Sequence, residues 1–475
     1  MTVGFQKKLA VIRVCVIVTC FCAVAFFVHG PRSAYSRMPQ GEILVPPLNY
    51  SVKSSRHCKD MFTIDKTYGQ VAWDRGDGYD RLSRGLPTLL PDDFSSTSEL
   101  SEIHPGTRLQ IMNGVIPYVP CQIREYSSDD LRRCCVSRKH SGSSTWVAFV
   151  GDSSMRLKVH EFLSVLPTGL NYTYFLGDKA VTRESFVEAL VLHKYRPSTF
   201  DVIGWNPLAG ETAHSRRLNA SMPKNPTVQG EEEEERIGAV EYSDADISED
   251  QAPHGTYQFR LSLVWAPDGS ERAHYYRRGN KVRKILEWTD AEPVPDIVVV
   301  GYGKWPLLLR EYEDELVPFT ELDHFSRPLV DVVRKLSAKT LVLLWSQSRY
   351  RWFNFESKKY SPGKDGLKDY WTTILHVNQF SHAMPLIDAW LWTIFRGAGV
   401  WRWDSTLPFN LANLRECKVL NDLGFDNSSI YHGRWWACTD IHHSAYETSH
   451  IEIQMMLNYL CNSFIDPGKG YCCSE

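Results

Sequence analysis

The chain carries almost no net charge, −3 over 475 residues. That balance leaves no basic surface for nucleic acid and no strong field for an acidic polymer, so neither is expected as a partner. No internal repeat is found. No C-x2-C pair and no histidine cluster at ligand spacing occurs, so zinc, the alternative use for so many cysteines, is disfavoured and no metal ligand is assigned. After residue 28 no apolar run is long enough to cross a bilayer. Cysteine is missing from the middle of the chain. Of the twelve, Cys15, Cys20 and Cys22 lie in the N-terminal apolar run, and nine follow it: Cys58, Cys121, Cys134, Cys135, Cys417, Cys438, Cys461, Cys472 and Cys473. Their grouping at two ends predicts disulfides that tie the C-terminal tail to the N-terminal region in an oxidising compartment. Nine is odd, so at least one thiol is free or pairs between chains.

What is present is ample apolar material, 43% of residues, enough for a large core and two to four domains by length. Aromatics reach 12%, with 15 Trp, which suits a carbohydrate-facing surface or simply fills the core. Leu9–Val28 is a twenty-residue run with the single charge of Arg13, which can snorkel to the headgroups. Lys7 and Lys8 precede it, and Arg32 and Arg37 follow it. A single signal anchor over residues 9–29 is expected, with residues 1–8 cytosolic and the rest lumenal. The alternative is a cleaved signal and a secreted product, against which stands the lack of a clear A-x-A site. Four glycosylation triplets, at Asn49, Asn171, Asn219 and Asn427, agree with a lumenal chain.

Residues 30–140 read as a stem followed by an irregular, cysteine-bearing lead-in. A regular domain is expected over residues 141–475. Trp146–Val150, Phe200–Gly204, Phe259–Trp265, Ile297–Val300 and Thr340–Trp345 read as strands. Ser154–Leu166, part of Leu308–Leu336, Met384–Arg396 and Ile451–Cys461 read as helices. Their alternation predicts an α/β fold with a parallel central sheet. Residues 223–254, with Glu231–Glu235 in a row, read as an acidic loop insertion, either solvated or a cation or partner site.

Chemistry concentrates at two places. In VAFVGDSSMRL a buried strand runs through Gly151 and Asp152 into a helix that opens with Ser153. That is the carboxyl end of a strand, where open sheets bind ligands, and a helix N-terminus, whose amides can hold an oxyanion. An ordinary helix cap uses the same residue types. Near the C-terminus Asp440 and His443 are spaced D-x-x-H before an apolar helix, so the carboxylate can orient an imidazole that serves a serine. His442 is the competing base, capping of the following helix is the bland alternative, and His450 is expected to face solvent.

GDS followed by Arg156, the D-x-x-H pair, and a final helix ending Asn458-Tyr-Leu-Cys461-Asn462 together resemble the PC-esterase branch of the SGNH (GDSL-like) superfamily. That branch includes the lumenal domain of sialate O-acetyltransferases and plant trichome-birefringence-like acetyltransferases. The likeness covers roughly residues 146–462 and, counted back from Cys461, selects His443 over His442. It implies an SGNH-like three-layer α/β/α fold and a Ser153–His443–Asp440 triad. It also implies O-acyl, above all O-acetyl, transfer to glycan hydroxyls through an acyl-serine. PDIVVVGYGKWPLL resembles the strand and loop at which such proteins line the site, giving Gly301, Gly303 and Trp305. No bound cofactor is implied, only an acyl donor such as acetyl-CoA as co-substrate, and a Golgi membrane location. The chain departs from the pattern in lacking an oxyanion asparagine in the third block. Arg156 stands in for it or forms a structural ion pair. A glycan O-acetyl esterase with the same residues, and a non-catalytic glycan-binding scaffold, are the rival readings.

Overall fold

The computed structural model describes residues 56–64, 77–90, 106–191, 199–206, 257–267, 269, 281–303, 319–346, 383–425, 428–438, 443–465 and 468–474. The N-terminal run, Asn49, Asn219, Asn427 and the acidic segment 223–254 lie outside them. Among the described residues no helix is long and apolar enough to cross a membrane.

The chain enters through α1 (Arg56–Asp60), α2 (Asp77–Arg84), α3 (Thr107–Ile111) and α4 (Ser128–His140). β1 (Thr145–Gly151) leads directly into α5 (Ser153–Phe162), followed by β2 (Asn171–Leu176), β3 (Lys179–Val181), α6 (Arg183–Val191), β4 (Thr199–Trp205) and β5 (Phe259–Trp265). Then come α7 (Lys281–Asp290), β6 (Ile297–Gly301), α8 (Phe319–Ser337), β7 (Leu341–Trp345), α9 (Ala383–Phe395) and β8 (Trp401–Trp403). The C-terminal part holds α10 (Leu407–Asp422), α11 (Ser429–His432) and α12 (Tyr446–Cys461).

The strands form one eight-stranded sheet in the order β3-β2-β4-β5-β1-β6-β7-β8. From β5 to β8 all neighbours are parallel. These strands read as unbroken apolar runs because both faces are covered. Trp146, Ala148, Val150, Val298 and Val300 pack with Ile285, Leu329, Val333 and Ile387 of α7, α8 and α9. Val147, Phe149, Ile297, Val299 and Leu343 pack on the other face with Met155, Val159 and Phe162 of α5 and Ile453 and Leu457 of α12.

The centre of the sheet is parallel as expected, while the other edge is antiparallel. β4, the strand expected over Phe200–Gly204, runs antiparallel to β5, and β2 and β3 continue antiparallel. Antiparallel neighbours need only a short turn, and Gly177-Asp178 supplies one between Leu176 and Lys179. Asn171 opens β2 and is exposed.

Regular structure also occurs before residue 141. α4 opens with a reciprocal cap between Ser127 and Asp130, and Phe62, Tyr118 and Tyr126 of the lead-in are fully buried in the main core. Disulfides Cys58–Cys473, Cys121–Cys472 and Cys134–Cys461 join the two ends, and Cys417–Cys438 closes a local loop. Cys135 is the odd thiol, free and buried.

Candidate active site

β1 and β6 lie side by side, and the helices that follow them, α5 and α8, pack on opposite faces of the sheet. A crevice opens at such a switch point beyond the carboxyl ends of the strands, and the GDS turn sits there. Gly151 ends β1 with φ +157°, and a Cβ on it would lie 1.9 Å from the Gly301 carbonyl oxygen. No side chain fits, so glycine is required for this strand end to stay paired with β6. The Asp152 amide donates to that same carbonyl at 3.2 Å. Asp152 is the N-cap of α5; its Oδ1 accepts from Ser154 N at 2.9 Å. Its Oδ2 is buried and has no hydrogen-bond partner. The cap reading of this aspartate is therefore correct, and it leaves Ser153 as the first helical residue.

His443 Nε2 lies 2.7 Å from Ser153 Oγ. With the ring proton on Nδ1, Nε2 accepts from the hydroxyl and can take its proton on attack. Ser153 is 7% exposed, whereas His443 is half-buried, so solvent reaches the pair from the histidine side. The Ser153 amide, at the positive end of α5, meets no acceptor among the described residues. Asp440, His442 and Trp305 lie outside the described residues.

The segment bearing His443 is anchored at several points. Trp436 Nε1 donates to Glu416 Oε2 at 2.9 Å, and Cys438 is bridged to Cys417. The Arg434 guanidinium pairs with Glu161 of α5, and Tyr446 N donates to Arg434 O at 3.2 Å. Of these anchors the Glu161 contact comes from α5 itself, about two turns beyond Ser153.

Among the other expected site residues, Gly301 ends β6 and supplies the carbonyl that Asp152 reads. Gly303 has φ +123°, and a Cβ there would press on Ile387 at 3.0 Å. Arg156 is buried, with its guanidinium carbon 5.2 Å from the Trp265 ring at the end of β5, a cation–π contact. His450 does not face solvent as expected. Its Nε2 is 3.2 Å from Glu125 Oε1, because the lead-in covers that side of α12.

Sequence reasoning missed a buried network beneath the site. The Lys158 ammonium of α5 pairs with Glu452 of α12, both side chains being at most 1% exposed. Glu452 Oε1 accepts from Trp345 Nε1 at 2.8 Å and from Thr406 Oγ1 at 3.0 Å. Lys158 also sits 4.0 Å above the Trp345 ring. The available signal was a lysine within the amphipathic stretch SSMRLKVHEFLSVL and a glutamate inside the apolar run IEIQMML. Among the described residues no group of His, Cys, Asp and Glu could hold a metal ion.

The fold and site together define an α/β protein with a serine–histidine pair at the carboxyl end of a central strand. Comparison with known proteins adds nothing: no family model, curated protein or solved structure matches the chain.

Proposed function

We propose that the chain is a serine-dependent O-acyl transferase of the SGNH-like, PC-esterase type, acting on glycan hydroxyls. The observation that carries this is the 2.7 Å approach of His443 Nε2 to Ser153 Oγ at a strand-to-helix turn. Ser153 Oγ attacks the acyl carbonyl while its proton passes to His443 Nε2. The donor's leaving group takes that proton as the tetrahedral intermediate collapses to an acyl-serine. A sugar hydroxyl then gives its proton to Nε2 and attacks the acyl carbon, and Oγ leaves and recovers the proton. Asp440, three residues before His443, orients the imidazole, and the Ser153 amide, with the Gly301–Gly303 turn and Arg156, holds the oxyanion.

Burial of Ser153 favours transfer over hydrolysis, because a shielded acyl-serine meets a bound acceptor more readily than free water. Four disulfides agree with a lumenal or extracellular compartment. With the N-terminal apolar run, they support a type II Golgi membrane location.

The test is labelling of the full-length chain with a fluorophosphonate, comparing wild type with Ser153→Ala and His443→Ala. Labelling that requires both residues supports an activated serine. Acetyl transfer from a labelled acetyl donor to glycans then separates transferase from esterase. A folded wild-type chain that never labels and never forms an acyl-serine with any donor sinks the proposal.

A further inference from the structure

Beyond Ser153, the outer side of α5 leads to a second depression. Ser153, Leu157 and His160 recur at spacings of four and three, so they share one face of the helix. His160 lies roughly 10 Å along the axis from Ser153 at 1.5 Å per residue. There a cavity of about 260 Å³ is lined by His160, Glu161, Ser164, Arg434, Trp435 and Tyr446.

Its walls are of two kinds. The Trp435 and Tyr446 rings stand with centroids 5.9 Å apart and planes tilted by 49°. The polar part holds the Glu161–Arg434 pair, with Arg434 Nη1 3.1 Å from His160 Nδ1. The Trp435 indole N–H is buried and has no hydrogen-bond partner.

An aromatic face beside a guanidinium, a carboxylate, an imidazole and a hydroxyl matches a ring with an apolar C–H face and a hydroxyl rim. That is a sugar ring. The volume falls below the roughly 300–1,000 Å³ of drug-sized sites, so it admits one ring rather than a chain. Glu161 already neutralises Arg434, so a phosphate would find no net positive field here.

We propose that this cavity is a binding subsite for a neutral pyranose ring. Resting on the acyl-transfer reading, it holds the remote ring of a glycan acceptor while a hydroxyl of another ring reaches Ser153. The two sites are built by one helix and one segment, since residues 434–446 contribute Trp435 and Tyr446 here and His443 there.

The test uses the full-length chain in a sugar-free detergent and saturation-transfer NMR with methyl glycosides of glucose, galactose and N-acetylglucosamine. Saturable binding of at least one is expected in wild type and in Ser153→Ala. Trp435→Ala should weaken it by about tenfold, the scale of one lost aromatic partner, and Trp435→Phe by less. Both Trp435 variants should keep fluorophosphonate labelling. No binding of any glycoside to wild type overturns the proposal, as does wild-type binding in Trp435→Ala or displacement of the glycoside by adenosine. If Trp435→Ala loses its thermal transition, Trp435→Phe decides, and unchanged binding there overturns the subsite. Glycoside binding by a chain that neither labels nor forms an acyl-serine would instead overturn the acyl-transfer reading and leave the subsite standing.

Discussion

At the scale of the residue, the site rests on three atoms and one missing atom. Ser153 Oγ and His443 Nε2 make the reactive contact, and the Ser153 amide sits at the helix N-terminus. Ser153→Ala should abolish labelling and transfer while leaving the thermal midpoint within about 1–2 °C of wild type, since a partly shielded hydroxyl contributes little to folding. His443→Ala should lower the labelling rate by at least about 10³-fold, as loss of a general base does. A stopped time course of probe incorporation measures both. The missing atom is the Cβ of Gly151, whose place is 1.9 Å from the Gly301 carbonyl oxygen. Gly151→Ala must part β1 from β6 locally, at a cost of about 1–3 kcal/mol or more, read as a lower midpoint in thermal melts. These residues were legible because GDS and D-x-x-H are compact patterns. His443 stands against Ser153, while His442 lies outside the described residues. Glu161 and Arg434 were not, since an exposed arginine and a helix glutamate 273 positions apart carry no local signature.

At the scale of the element, the central question is what keeps α5 and α12 in register, as Ser153 opens one and His443 precedes the other. The buried Lys158–Glu452 pair crosses between them. Lys158→Met should destabilise the fold by about 3–5 kcal/mol, because Glu452 would be left charged in the interior. Lys158→Met with Glu452→Leu should recover much of that loss, and chemical denaturation of the two variants measures the difference. A second link joins α12 to the lead-in. Burial tends to raise the Glu125 carboxyl, but hydrogen bonds from His450 and Gln110 and the His450 charge outweigh it and hold it below its usual value. A depressed carboxylate contributes stability above its unfolded pKa and loses it as pH falls through the folded one. Glu125→Gln should therefore flatten the loss of stability below about pH 4.5, measured as midpoint against pH. Elements were legible in proportion to their burial. Ile297–Val300 lies in the sheet centre and reads as a strand at once. β3 and β8 have three residues each, and β2 with them is half exposed, so their composition does not separate them from loops. Strand direction was not legible either, since apolar runs look alike in both senses.

At the scale of the whole molecule, the disulfides divide the labour of holding the chain together. Three close loops of 327 to 415 residues and draw the lead-in and the C-terminal tail onto one face of the sheet. The grouping of cysteines foretold this arrangement but not the pairing, which depends on which Cβ atoms the fold brings within reach. In the chain-entropy account a loop of this size restricts the unfolded state by somewhat more than the ~4.7 kcal/mol of a 100-residue loop. One such bridge is then comparable with the 5–15 kcal/mol stability of a whole domain. The fourth bridge, Cys417–Cys438, spans only 21 residues but fixes the segment that continues to His443. The two kinds should fail differently. Cys134→Ala with Cys461→Ala should lower the thermal midpoint markedly and reduce the yield of folded protein. Cys417→Ala with Cys438→Ala should lower it less, yet slow serine labelling more, because the fold survives while His443 loses its fixed approach to Ser153. Melting curves and labelling rates on the same preparations separate the outcomes. Equal loss of labelling per degree of midpoint in both variants would mean that the local bridge contributes only stability, and that His443 is positioned by Arg434 and Trp436 alone.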